Sequence, residues 1–168
     1  MPTKRKNKPA EKAKQEQPAY FRTVADNRRA RFNFEILEQF ETGIVLSGTE
    51  IKSVRAGKAM IRDAYAQIRN SQIWLQNLHI APWDGGGVWN HEAVHPRRLL
   101  MHRKEIDRLA RVAGQQGLTL VPLRLYIKGH YAKVELALAK GRRRYDKRKV
   151  IQQRETDREI SRAMRQRI

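Results

Sequence analysis

Apolar and polar positions alternate most cleanly between residues 121 and 138. Val121, Leu123, Leu125 and Ile127 share one face of a strand, Gly129-His130 supplies a turn, and Ala132, Val134, Leu136 and Leu138 line the return strand. That period of two predicts a β-hairpin with Arg124, Lys128, Lys133 and Glu135 pointing outward. Pro122 has no backbone donor, so it belongs near the strand's start or on a sheet edge. Upstream, Phe32, Phe34 and Ile36 alternate with Asn33 and Glu35, and Gly43-Ile44-Val45-Leu46 follows Gln39-Phe40-Glu41. These positions predict two strand pieces with a bend near Glu38 and Gln39. Residues 64–69 and 72–80 flank Asn70-Ser71, which predicts a tight hairpin whose apolar content is Ile68, Ile73, Trp74, Leu75 and Leu78. The period changes twice. Thr49 is a good N-cap for a two-turn helix that puts Ile51 and Val54 inward and Lys52 and Arg55 outward, with Gly57 suited to its exit. Leu99, Ile106, Leu109, Ala110 and Ala113 recur at helical spacing and predict a helix from about His102 to Ala113, ahead of Gly114 and Gly117. Asp84-Gly85-Gly86-Gly87 reads as a mobile loop.

About six short strands with one or two helices among them predict a mainly β fold. The small antiparallel OB-like β-barrel, with flanking short helices, is its natural form, and such barrels bind oligonucleotides. The chain divides into residues 1–25, 26–140 and 141–168. The first segment is a Lys, Gln, Pro and Ala mixture with too little apolar surface to offset the entropy of ordering, and is expected to be disordered. The last is a basic tail.

Charge sharpens the division. Of 36 Lys and Arg against 17 Asp and Glu, residues 1–25 hold seven bases and two acids (+5), 26–139 seventeen and eleven (+6), and 140–168 twelve and four (+8). The net +19 and a pI near 10.9 point to a polyanionic partner, nucleic acid first. No apolar run approaches the ~20 residues of a membrane span, and no apolar stretch follows the basic start as in a signal peptide. The chain has no cysteine, which removes disulfides and thiolate metal sites and fits a reducing, cytoplasmic setting.

Chemistry adds little. The histidines are His79, His91, His95, His102 and His130. The string His91-Glu92-Ala93-Val94-His95 matches the zinc-protease pattern in letters, but Pro96 follows at once and glycines precede it, so it reads as loop rather than ligand helix. No nucleophile elbow, phosphate loop or dinucleotide fingerprint occurs. The expectation is a protein without catalytic residues, metal or cofactor. Trp83, Trp89, Tyr126, Tyr131 and Tyr145 are candidates for stacking on bases. For Tyr126 a place in the core or sheet face is favoured, for Trp89 the two readings are even, and for Tyr145, isolated among charges, stacking is favoured.

The stretch Ala139-Lys140-Gly141-Arg142-Arg143-Arg144-Tyr145-Asp146-Lys147-Arg148-Lys149 carries seven Lys or Arg in eleven residues and ends the apolar body. Beyond it, Ile160, Met164 and Ile168 recur at i, i+4 and i+8, a narrow helical stripe among arginines. Such a tail is expected to become helical when a partner covers the stripe and neutralises the charge.

The ordered motifs are those of a family. Asn27-Arg28-Arg29-Ala30-Arg31, Phe40-Glu41-Thr42-Gly43-Ile44, the run from Gly48 to Lys58, Asp63-Ala64-Tyr65, Asn90-His91-Glu92, the run from Arg98 to Ile106, Val121-Pro122-Leu123 and the stretch from Ala139 to Arg148 together resemble the SsrA-binding protein (small protein B) family from Asn27 to the C-terminus. Ala93 departs from the pattern, where proline is usual, and implies a less rigid loop. The resemblance implies an OB-type barrel that binds the tRNA-like domain of transfer-messenger RNA (tmRNA) and delivers it to stalled ribosomes for trans-translation. It further implies a tail that enters the decoding centre and the mRNA channel. It places Glu41, Leu100 and His102 on the RNA-facing body, and Tyr145, Asp146, Lys147 and Arg148 on the part that meets ribosomal RNA. Basic positions Arg29, Arg31, Lys52, Arg55, Arg98 and Lys133 join the body's RNA surface. Lys140, Gly141, Arg142, Arg143 and Ile160 join the ribosome-binding tail. A monomer is expected, and the other reading is a ribosomal or general RNA-binding protein.

Overall fold

The computed structural model describes residues 21–113, 117–142, 155–160, 162 and 164. Its strands are β1 (Phe21–Asp26), β2 (Phe34–Ile44), β3 (Ala59–Met60), β4 (Tyr65–Arg69), β5 (Gln72–Gln76), β6 (His79–Ile80), β7 (Arg97–Leu100), β8 (Leu118–Lys128) and β9 (Tyr131–Gly141). Among the described residues three α-helices interrupt them, α1 (Arg28–Asn33), α2 (Gly48–Arg55) and α3 (Arg103–Ala113), with a short 3-10 turn at Gly87–Trp89. The large sheet runs β1-β8-β4-β5-β7-β2-β9, and β9 also pairs with β8. That last pairing joins the ends, so β8, β4, β5, β7, β2 and β9 form a closed antiparallel barrel, as the alternation led us to expect. Strand β1 adds to β8 along its C-terminal half, from Arg124 to Lys128, while β4 meets β8 at Leu120. Strands β3 and β6 make a separate two-stranded ladder.

The barrel interior holds Ile44, Ile73, Leu75, Leu99, Leu125, Ile127, Val134, Leu136 and Leu138, with Ile106 and Leu109 of α3 and Val54 of α2 packed into the same cluster. A second, smaller cluster lies under α1: Ala30 meets Val121, Leu123, Ala137 and Ala139, with Phe34 and Ile36 against them. Two bulges create this arrangement. The β8–β9 register shifts between Pro122 and Arg124, and the β2–β9 register shifts between Ile36 and Glu38. One extra residue reverses the face of everything after it. Val121 and Leu123 therefore serve the α1 cluster, whereas Leu125 and Ile127 serve the interior. The expectation that all four share a face is corrected here. Pro122 sits beside the bulge, a tolerated place for a residue that cannot donate to the ladder.

Other differences are local. Strand β1 occupies Phe21–Asp26, so the boundary expected at residue 25 falls inside a paired strand. Its predicted disorder is thus corrected for residues 21–25, and residues 1–20 lie outside the described residues. Phe32 belongs to α1, which the alternation concealed. Helix α2 starts two residues earlier than expected from Thr49 as N-cap. Ser47 is its N-cap, in a capping box with Glu50, and Gly57 follows with φ +79°. Asn70 and Ser71 both adopt positive φ, at 49° and 58°, as the two-residue turn between β4 and β5 requires. In the tail, residues 155–160 are helical and exposed, with Ile160 uncovered. Among the described residues no helix is long and apolar enough to cross a membrane.

Candidate nucleic-acid interface

The outer face of the barrel near the β8–β9 turn collects charge around one acid. Glu41, on β2, accepts a hydrogen bond from the Tyr126 hydroxyl at 2.6 Å and from Lys128 Nζ at 3.2 Å, and it binds Lys133 Nζ. Tyr126 and Lys128 come from β8 and Lys133 from β9, so the cluster spans three adjacent strands. Lys133, followed by Tyr126 and then Lys128, outweighs partial burial and holds the Glu41 carboxyl at about 2. Burial first, and then the bond to Glu41, pushes the Tyr126 hydroxyl well above its ordinary range, so it remains a donor. The Tyr126 ring packs 4.8 Å from Phe21, centroid to centroid, and the Arg124 guanidinium lies over both rings. Arg124 is in turn paired with Glu135 at 2.8 Å. This surface orders lysines and an arginine without burying their charge.

Beside the cluster is an open groove of about 340 Å³ lined by Gly43, Ile44, Leu46, Ile51, Leu100, Tyr131 and Lys133 among others. Gly43 sits opposite Leu100 across β2 and β7. A Cβ at Gly43 would lie 3.3 Å from Leu100 Cβ, so glycine lets the leucine lie low over the strand. Leu100 and Tyr131 are exposed apolar surfaces among bases, the pairing that accepts phosphate and nucleobase together. Arg55 donates to the His130 carbonyl at 3.3 Å, which fixes α2 against the same turn. The structure thus brings Glu41, Arg55, Leu100 and Lys133 together, with Lys52 exposed on α2. Arg98 shares the exposed face of β7 with Leu100, and His102 lies two residues on, its carbonyl starting α3.

The two arginines of α1 part company. Arg31 lies 3.6 Å from Asp26 and 4.0 Å from Glu135, toward the Glu41 face, whereas Arg29 faces Asp63 at 4.0 Å on the opposite flank. In the tail, Lys140 and Gly141 end β9, and Arg142 N donates to the Asn33 carbonyl at 2.9 Å. Arg143, Tyr145, Asp146, Lys147 and Arg148 lie outside the described residues.

Residues 91–95 form a loop, not a helix. His91 Nδ1 meets Thr49 Oγ1 at 2.9 Å and Nε2 lies 3.3 Å from the Ile80 carbonyl, while His95 Nε2 is 2.8 Å from Glu50 Oε1. Both rings are thus engaged within the protein, and the described residues contain no grouping of three metal-ligating side chains. What pins the loop is Arg97, buried at 1% exposure. Its Nε donates to Glu50 Oε1 at 2.6 Å, and its other nitrogens reach the carbonyls of Leu78, His95, Ala93 and Glu92. Burial pushes the Glu50 carboxyl up, but Ser47 N–H, Arg97 and His95 together hold it below the usual carboxylate range. The glycine-rich turn is likewise fastened. Asn90 accepts from Trp83 N and donates to the Trp83 carbonyl, so Trp89 is presented on a closed turn at 90% exposure. The role of Ala93 falls to its carbonyl, which accepts from Ile80 N and Arg97 and which a proline would equally supply.

Sequence reasoning missed Asn27 as a structural hub. Its side chain accepts from Ala30 N and donates to the carbonyls of Ile61, Arg62 and Pro122, all at 3.0–3.2 Å. An asparagine just ahead of a helix was the available signal.

Comparison with known proteins gives a consistent result. The SmpB protein family pattern matches residues 24–166. The chain is 54% identical over 144 residues to the SsrA-binding protein of Desulforudis audaxviator, covering 86% of this chain and 94% of that one. It is 51% identical to the SsrA-binding protein of Carboxydothermus hydrogenoformans, covering 86% and 97% respectively. A solved chain from work on tmRNA-SmpB at the centre of the bacterial ribosome superimposes with a TM-score of 0.60 at 43% identity, covering 80% of this chain and 95% of that chain.

Proposed function

From the fact that this chain belongs to the SmpB family, we infer that it binds tmRNA and acts with it on the ribosome in trans-translation. The family match over residues 24–166 carries the reading. The family is one of RNA-binding proteins, not enzymes. The reading gives the body and the tail different partners. The barrel takes the tRNA-like part of tmRNA on the face built by Glu41, Leu100 and Lys133, with Arg31, Lys52, Arg55, Arg98 and His102 around it. Support comes from the juxtaposition of ordered bases with exposed Leu100 and Tyr131. Phosphate contacts position the RNA there, and apolar contact selects unstacked bases. The tail, from Lys140 through Tyr145, Asp146, Lys147, Arg148 and Ile160, takes the decoding centre and mRNA channel of a stalled ribosome. Action on the ribosome places the protein in the cytoplasm.

The experiment is to identify the RNA that co-purifies with the full chain. One abundant RNA with a tRNA-like end and an internal reading frame is the expected result. Bulk ribosomal RNA without it would support a general RNA-binding protein instead.

A further inference from the structure

We propose that Trp89 is a stacking platform for an unpaired base of tmRNA, at one end of a single-stranded RNA track that runs along α2 to Tyr131. This rests on the functional reading above. The platform is built. Asn90 Oδ1 accepts from Trp83 N at 3.0 Å and from His91 N at 3.1 Å, and its Nδ2 donates to the Trp83 carbonyl at 2.7 Å. A Cβ at Gly86 would come within 2.7–2.9 Å of that clasped side chain, so glycine is needed to close the turn. The indole is thereby held out in water on a fixed backbone, which lowers the ordering cost of binding. Val88 and Trp89 alone offer far less than the ~800 Å² a protein partner covers, whereas one indole face is enough for one base.

The surroundings supply the rest of the track. His91 Nδ1 meets Thr49 Oγ1 at 2.9 Å, so the turn abuts the N-terminal end of α2. Thr49, Lys52 and Arg55 follow at intervals of three along one side of that helix, and both bases are exposed. Neither base enters an ion pair among the described residues, because the helix's acid, Glu50, is buried against Arg97. At the other end Arg55 donates to the His130 carbonyl at 3.3 Å, Arg22 donates to the Arg55 carbonyl at 3.1 Å, and Tyr131 stands exposed beside them. Two exposed aromatics therefore flank a cationic rail of about 9 Å, six residues of helix rise. Acids divide the labour. Asp84 of the turn is paired with Lys58 at 2.5 Å and Glu92 is exposed, so phosphates are held along α2 and the base alone goes to Trp89. Ile51 and Tyr131 also line the groove beside Glu41, which makes the track continuous with the face that takes tmRNA.

The test titrates the full chain with tmRNA. Trp89→Ala and Tyr131→Ala should each weaken binding by roughly tenfold, and Trp89→Phe should stay within about threefold of the wild type because a ring is kept. Trp89→Ala should leave the slope of log K against log salt unchanged, whereas Lys52→Gln should lower it by about one phosphate's worth, ~0.7–0.9. Tryptophan fluorescence should fall when tmRNA is added to the wild type, and Trp89→Phe should lose most of that change. Melting temperatures check the fold of each variant. Unchanged tmRNA affinity in Trp89→Ala overturns the proposal, and so does a loss seen only when the complex binds ribosomes, which would give the platform to ribosomal RNA. Failure of the wild type to bind tmRNA overturns the functional reading, and this one with it.

Discussion

Tyr126 and Glu41 stand on strands that do not pair with each other, yet the phenol donates to the carboxylate at 2.6 Å across the intervening β9. Lys133 of that middle strand closes on the same carboxylate, and Lys128 adds a third donor. The acid on the proposed RNA surface is thereby occupied by the protein. Its effect is to aim two lysines.

Glu41→Gln should release Lys128 and Lys133, and tmRNA binding should weaken more than binding to a random RNA of equal length. Competition titrations at fixed salt measure both, and equal losses would make Glu41 purely structural. Tyr126→Phe should weaken tmRNA binding less, since it deletes one donor and leaves both lysine contacts.

The same carboxylate sets an acid response. Its folded value of about 2 lies below the ordinary 4.5, so its contribution to stability is complete above ~4.5 and disappears as pH falls through about 2. Denaturant melts of wild type and Glu41→Gln should therefore differ at neutral pH and converge between pH ~4.5 and ~2. A constant gap over that window would mean the carboxylate's charge contributes nothing.

Breaking the buried pair should be the most damaging change in the body. Arg97→Ala takes the guanidinium from buried Glu50, leaves that carboxylate to the Ser47 N–H and His95 alone, and should destabilise the fold by about 3–5 kcal/mol. Pairing Glu50→Leu with Arg97→Met should recover only part of this. The carbonyls of Leu78 and His95 that Arg97 satisfied would remain orphaned. Thermal melts of the two variants and the wild type decide the order.

Asn27→Ala removes an N-cap and abandons three buried or part-buried carbonyls, for a loss of about 2–3 kcal/mol. Asn27→Asp keeps the cap but not the donors and should recover only the cap's share, about 1 kcal/mol.

The tail variants separate the two partners. A chain ending at Gly141 should keep its melting temperature and tmRNA affinity and lose rescue of stalled ribosomes. Replacing Asp146, Lys147 and Arg148 with alanine should do the same. Ile160→Pro preserves charge but disrupts the helix over residues 155–160, by roughly 3 kcal/mol. If it rescues like the wild type, the tail acts as an unstructured polycation.

Much of the barrel could be read from alternation, because β4, β5 and β9 bury alternate residues toward one interior. Alternation failed where both faces are covered. Val121 and Leu125 share a parity in sequence but belong to different clusters, and only the bulge at Leu123 separates them. Strand β7 escaped notice because its two buried residues are Leu99, which also fits the helical spacing of Ile106 and Leu109, and Arg97, a charge satisfied by groups up to 47 positions away that no local pattern announces. Family motifs named Glu41, Leu100 and Lys133 as candidates, and the structure brings these three together on one face. That Arg29 and Arg31 face opposite flanks was not legible, since their divergence depends on Asp63 and Glu135, which meet them only in three dimensions.

The barrel's closure has a consequence for its synthesis. Strand β9 is the last to be made and lies between β2 and β8, with Phe34 paired to Gly141 at the far end of the register. Until residue 141 has emerged, the nascent chain exposes two unpaired strand edges, a state prone to aggregation. A copy of this protein cut short by a broken message would be left in that open state, unable to fold, and itself a fit subject for tagging and disposal.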